Sequence, residues 1–127
     1  MSIYSLTKIS DDTMERLFRS IEYIIDESDE REFPGQLLKA FFYVASRDGC
    51  LQKELENQGF SSSSASRNLN WLSQQHRLGK EGLHWIEIKN DRSNHKLNRV
   101  FLTPLGHKVI KQMKYQLTTK RIPISLE

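Results

Sequence analysis

From Ser10 onward, the segment SDDTMERLFRSIEYIIDESDE places apolar residues at Met14, Leu17, Phe18, Ile21, Ile24 and Ile25. This is the three-and-four spacing of a helix with one buried stripe. Asp11, Asp12 and Glu15 suit the positive end of such a helix, with Ser10 or Asp12 as its cap. The run DESDERE ends the periodicity. Pro34 is tolerated in a first helical turn, and QLLKAFFYVASR after it is apolar on most sides, which predicts a central core helix closed by Asp48-Gly49. CLQKELENQGF predicts a short helix carrying Leu51 and Leu55, followed at Gly59 by a turn that wants a residue tolerant of positive φ.

The stretch SSSSASRNLNWL, residues 61 to 72, begins like a flexible Ser linker. With Ser61 or Ser62 as N-cap, however, Ala65, Leu69 and Leu72 fall at i, i+4 and i+7 and share one face. The serines then form the cap and first turn of a helix packed on the two before it. At about 100° per residue, the opposite face carries Ser63, Arg67, Asn70 and Gln74, flanked by Ser64 and Trp71. No acidic residue occurs from 57 to 80. A face of hydroxyls, amides and one Arg can donate and accept at base edges without repelling a phosphate backbone; an ordinary surface helix mixes Glu with Lys. Short helix, Gly turn, polar helix is also the order of a helix-turn-helix.

Leu83–Ile88 and Arg99–Leu102 read as two strands joined by a polar, basic loop from Asn90 to Asn98. A hairpin after a helix-turn-helix is a wing, whose tip offers Arg92, His95 and Lys96 with Lys89 and Arg99 on the strands, within reach of phosphates or a minor groove. The final helix, PLGHKVIKQMKYQL, has an apolar face of Leu105, Val109, Ile110, Met113 and Leu117. The expected architecture is mainly α with a small β-hairpin wing (α+β). It forms a single domain over 1–127: an N-terminal helix at 10–28, a winged helix-turn-helix at 34–103, a C-terminal helix at 104–118 and a tail at 119–127.

Charge sharpens this picture. The net +3 of the 127 residues conceals an asymmetry: residues 1–60 hold 7 Lys and Arg against 12 Asp and Glu, a net of −5, and residues 61–127 hold 12 against 4, a net of +8. A basic half beside an acidic half suits one face meeting a polyanion while the other pairs with a copy of the chain. The length fits one compact domain with an adequate core. The single Cys50, the lack of a signal-peptide pattern in MSIYSLTKIS and the lack of a long apolar run point to a reduced, cytoplasmic protein without a membrane contact.

His76, His84, His95 and His107 show no zinc spacing with one another or with Cys50, and no catalytic Ser or Cys motif appears. Neither enzymatic activity nor a metal or cofactor is expected. Cys50 begins the first helix of the motif, where a helix dipole lowers a thiol pKa and suits a redox sensor; a small buried thiol is the other reading.

The segment from about Gln36 to Ile110 resembles the MarR-type winged-helix transcriptional regulators. The resemblance rests on Ser66-Arg67 two residues before Leu69, and on Asp91, Asn94, Lys96, Val100, Leu102, Thr103 and Gly106 in the register of the family's wing motif. Ser93, Asn94 and Lys96 depart from it, removing an ion pair at the tip, and the link LSQQHRLGKEG is longer than usual. The resemblance implies a homodimer paired through its terminal helices, here Leu17, Phe18, Ile21, Ile24 and Ile25 with Val109, Ile110, Met113 and Leu117. Each subunit is then expected to read half of a near-palindromic site in double-stranded DNA, as a repressor. The expected DNA-binding residues are Ser62, Ser63, Ser64, Ser66, Arg67, Asn70 and Gln74 on the helix and Lys89, Arg92, His95 and Lys96 on the wing. The resemblance also implies room for a small-molecule effector, for which no residue is marked. Two other readings stand beside this one: a winged-helix adaptor or inhibitor whose basic half meets an acidic protein, and a single-strand binder using Trp71 and Trp85 as an aromatic platform.

Overall fold

The computed structural model describes residues 11–74 and 79–120. Ser10, His76, the middle of the LSQQHRLGKEG link and both chain ends lie outside these. Helices α1 (Thr13–Ser28) and α2 (Gly35–Ser46) lead into a short strand β1 (Cys50–Leu51) and a 3-10 helix (Gln52–Gln58). Helix α3 (Ser62–Leu72), strands β2 (Ile86–Asn90) and β3 (Asn98–Leu102) and helix α4 (Pro104–Thr118) complete the order. The three strands form an antiparallel sheet in the order β1-β3-β2, so the hairpin β2–β3 is a wing beside the helix-turn-helix.

The helices stand where the periodicity places them. Ser61, rather than Ser62, caps α3: its Oγ accepts from the Ser64 N–H at 3.1 Å. Asp12 holds the N-cap position of α1 without a side-chain cap bond and pairs with Arg16 instead, while Asp11 Oδ1 accepts from the Thr13 N–H at 2.9 Å. Gly59, at φ +93°, makes the turn between the 3-10 helix and α3.

Two elements differ from expectation for reasons of pairing. Cys50 and Leu51 are strand, not the start of a helix, because β3 offers them a partner: Cys50 lies opposite Val100 and Leu51 opposite Arg99, and the Gly49 N–H donates to the Val100 carbonyl at 2.8 Å. The first wing strand begins at Ile86, not Leu83. The N–H groups of Leu83, His84 and Trp85 donate instead to the carbonyls of Trp71, Ser73 and Leu72 at the end of α3, and His84 adopts φ +59°, which interrupts an extended strand.

Ile24, Leu37, Phe41, Val44, Leu55, Leu69, Leu72, Trp85, Val100 and Val109 form the centre of the core. The Trp85 ring lies 4.9 Å from Phe41 and 6.0 Å from Phe33. Helix α1 packs along α4, tied by Arg16 Nη1 donating to the Leu117 carbonyl at 3.0 Å. This packing corrects part of the expected subunit interface. Ile24, Val109, Ile110 and Met113 are buried within one chain, and Ile21, Ile25 and Leu117 are half-buried, since the two helices are each other's nearest apolar surface. What remains open is Leu17 at 40% and Phe18 at 55% exposure, together with Met14, Leu105 and Tyr115.

Thr103 caps α4, its Oγ1 accepting from the Gly106 N–H at 3.0 Å and donating to the His84 carbonyl at 2.6 Å. The first turn of α4 thereby lies on the Trp85 backbone: a Cβ built on Gly106 would stand 1.9 Å from the Trp85 carbonyl oxygen. Gly106→Ala is therefore expected to destabilise the fold by about 3 kcal/mol or more in urea unfolding. Gly35→Ala, whose Cβ meets nothing within 4 Å, should be neutral or stabilising by up to about 1 kcal/mol. Equal effects at the two sites would refute this close approach.

Candidate nucleic-acid interface

Helix α3 presents an outer face because its inner one is anchored by Ala65, Leu69 and Leu72. Ser62, Ser63, Arg67 and Asn70 are exposed and Ser66 is half-buried. The Ser63 and Ser61 hydroxyls stand 3.3 Å apart. Two expected contacts move. Ser64 turns inward: its Oγ donates to Gln36 Oε1 at 2.8 Å, and Asn68 Nδ2 donates to both the Ser64 carbonyl (2.8 Å) and its hydroxyl (3.2 Å). The buried arc of α3 is thus wider than the apolar residues alone announce, because Ser64 and Asn68 satisfy each other against the start of α2. Gln74 is exposed but follows the helix rather than riding on it; its carbonyl accepts from the Gly82 N–H at 2.9 Å.

The wing is built from its base. Asp91, almost fully buried, accepts at Oδ1 from the Ser93 N–H (2.9 Å) and hydroxyl (2.8 Å), and its Oδ2 meets Arg99 Nε at 3.0 Å. Arg99 Nη1 donates onward to the Gly49 carbonyl at 2.9 Å, so this side chain ties the wing to the α2–β1 turn. The Ser93 hydrogen bonds, and with them the Arg99 charge, hold the Asp91 carboxyl below the usual carboxylate range. On the same outer sheet face, Lys89 pairs with Glu87 at 3.3 Å and lies over the Phe101 ring. A second tie runs through amides: Asn98 Nδ2 donates to Gln52 Oε1 at 3.4 Å, and Asn90 Nδ2 donates to Asn98 Oδ1 at 2.8 Å and to the His95 carbonyl at 3.3 Å.

The cations therefore divide into two groups. Arg99 and Lys89 are engaged within the protein. The exposed side chains of Lys53, Arg67, Arg92 and Lys96 make no hydrogen bond or ion pair among the described residues. A cleft of about 200 Å³ runs between the 3-10 helix, the first turns of α3 and the wing, and it brings Lys96 to the same rim as Ser62 and Lys53. Lys53 was not among the expected contacts, since Glu54 and Glu56 beside it make its stretch of sequence read as acidic. The visible signal was its place on the first helix of a helix-turn-helix, the element that crosses a nucleic-acid backbone.

Neither tryptophan is an open platform. Trp85 is buried, and Trp71 is half-buried against the core beside Leu83. Cys50 is buried in β1, and burial, followed by the nearby Glu54 charge, pushes its thiol up to about 11. That is the opposite of the lowered value a helix N-terminus would give. Among the described residues no group of His, Cys, Asp and Glu could hold a metal ion, and no helix is long and apolar enough to cross a membrane.

No family model and no curated relative matches the sequence. Solved structures do match in fold. A MarR transcriptional regulator from Methanosarcina mazei Go1 aligns with a TM-score of 0.57 at 17% identity, covering 81% of this chain and 69% of its own. MarR itself aligns at 0.50 with 18% identity, covering 82% and 76%. The PcaV transcriptional regulator from Streptomyces coelicolor, in complex with its natural ligand, aligns at 0.50 with 16% identity, covering 80% and 73%. The fold is that of a MarR-type winged helix. The wing carries an ion pair at its base, where Ser93 and Arg99 share Asp91.

Two measurements follow from this chemistry. A carboxyl that ionises below its unfolded value of about 3.9 stabilises the fold fully above that pH and loses its contribution as pH falls through the folded value. The Asp91 carboxyl should thus titrate below about 3.9 by NMR, with the Ser93 amide following it, and Asp91→Asn should abolish that response; a midpoint at or above the unfolded value would refute the anchoring. Cys50 should resist alkylation at neutral pH in the folded protein and react once denatured. Rapid labelling of the native chain would refute its burial.

Proposed function

We propose that the protein is a homodimeric, sequence-specific binder of double-stranded DNA that regulates transcription, acting as a repressor by covering a promoter. The observation that carries this reading is the outer face of α3: Ser63, Ser66, Arg67 and Asn70 display hydroxyl, guanidinium and amide groups with no carboxylate among them. Such a face matches the donors and acceptors of a major groove, and the uncommitted Arg67 can reach both acceptors of a guanine. Arg92 and Lys96 on the wing, with His95 at its tip, hold phosphates alongside, while the helix N-terminus of α3 favours the same anions.

Pairing of two copies is supported by the apolar side chains that α1 and α4 leave open, Met14, Leu17, Phe18, Leu105 and Tyr115. Reading successive major grooves requires the two copies of α3 to stand about 34 Å apart, and a near-palindromic site follows from their two-fold symmetry. The liganded state of PcaV extends the proposal to a small-molecule effector.

The test is fluorescence anisotropy on a random duplex library across a salt series, with sequencing of the retained fraction. The expected product is a near-palindrome with half-sites about one helical turn apart. Arg67→Ala should cost about 1 to 3 kcal/mol per half-site and relax base preference, whereas Arg92→Ala should weaken all sequences alike and lower the salt slope by about one per subunit. An unchanged ratio of cognate to random binding in Arg67→Ala would remove α3 from the reading role. Failure to bind any duplex would overturn the proposal and favour an acidic protein partner for this surface.

A further inference from the structure

The cleft between the motif and the wing has a composition unlike either element taken alone. Lys53 enters it from the 3-10 helix and Lys96 from the wing loop, and neither ammonium has a partner among the described residues. Ser62, on the first turn of α3, adds an uncommitted hydroxyl. Gln52 accepts from Asn98 through Oε1, which leaves its NH₂ donors unused among the described residues. Leu51, Ala65 and Leu97 add apolar, wholly or partly buried lining, so the cleft's exposed charges are screened on one side by protein rather than water. Two cations, a hydroxyl and an amide surrounding a small concavity form a receptor for a tetrahedral oxyanion. The volume, about 200 Å³, is several times the roughly 30 Å³ share of one water molecule, so an oxyanion enters with part of its hydration shell.

We propose that this cleft seats a single phosphodiester of the bound duplex, held jointly by Lys53 and Lys96, so that the helix-turn-helix and the wing grip the backbone at one shared phosphate. The proposal rests on the DNA-binding reading above and specifies a contact within it. Glu56 also lines the cleft, leaving an excess of one positive charge at the rim. This carboxylate limits the strength of the seat. The amide chain from Gln52 through Asn98 and Asn90 to the His95 carbonyl holds the two walls in register, which is what sharing one ligand requires.

Sharing has a consequence that two separate contacts lack. The logarithmic salt slope counts neutralised phosphates, at about 0.9 each on duplex DNA. Lys53→Ala and Lys96→Ala singly should each leave the phosphate neutralised by the remaining lysine and change the slope by much less than one. The double variant should reduce the slope by about 0.9 per subunit, hence about 1.8 for the dimer, and Glu56→Gln should tighten binding to any duplex. The experiment uses the full chain, a random-sequence duplex and a chloride series, with unfolding curves to confirm that the variants remain folded. A second arm follows the Lys53, Ser62 and Lys96 amides by NMR during titration with the duplex and, separately, with inorganic phosphate.

Slope losses for the dimer of about 1.8 for each single and about 3.6 for the double would mean two separate phosphates per subunit and would overturn the shared seat while leaving DNA binding intact. So would a double variant with an unchanged slope. Shifts at the cleft with inorganic phosphate and none with duplex would assign the cleft to a free anion, again overturning the proposal. Absence of duplex binding by the unsubstituted chain would overturn both this proposal and the function on which it rests.

Discussion

The strap Leu83–Trp85 is the constraint on which the remaining geometry depends. Its three N–H groups close the end of α3, its Trp85 carbonyl accepts from the Thr103 N–H at 3.0 Å, and its indole fills the centre of the core against Phe41. Helix α3, the wing and the C-terminal helix therefore share one short length of backbone. Moving it would shift all three, because buried N–H and carbonyl groups left unpaired are costly and the surrounding side chains are close-packed. Gly106 is the complement of this arrangement: only a residue without a Cβ lets α4 begin directly on the Trp85 carbonyl.

The same economy governs polar residues at the interface. The protein uses part of its charge and hydrogen-bonding capacity to hold the wing in place and leaves the rest unengaged. Asp91, Ser93 and Arg99 belong to the first group, as do Ser64, Asn68 and Gln36 under α3. Arg67, Arg92, Lys96 and Lys53 belong to the second. An engaged cation is rigid and largely neutralised, whereas an unengaged one retains its full field for an incoming polyanion. This division gives a clearer guide to the binding surface than the net charge of the basic half, in which both groups count alike.

Much of this was legible along the chain. The spacing of Ala65, Leu69 and Leu72 predicts α3 and its outer face, Ser61 and Ser62 bracket its start, and the apolar run 37–45 predicts the central helix. These succeed because local periodicity and a buried stripe are two descriptions of the same fact. The wing register from Asp91 to Gly106 was legible for another reason, its likeness to a known pattern. The errors have a common source. Ser64 resembles its neighbouring serines until Gln36 and Asn68 are folded against it. Cys50 and Leu51 look helical until β3 offers an edge, and Leu83 looks extended until the end of α3 takes its N–H. Each was decided by a partner between 28 and 50 residues away in sequence for the first two, and by the carbonyl of Trp71 for the third.

The sequence by itself determined which segments are helices, where the turn of the motif lies, and that the outward side of α3 carries no negative charge, since all three depend on residues close together in the chain. Only the tertiary structure decided which polar groups are used internally and which are free, because a hydrogen bond between distant segments leaves no periodic trace. It also decided that α1 and α4 pack along one another and bury much of their apolar faces, leaving Met14, Leu17, Phe18, Leu105 and Tyr115 outside. Lys53 and Lys96 lie 43 positions apart in the sequence and line one cleft in the fold. That proximity follows from the wing folding back over the motif, and no local pattern encodes it.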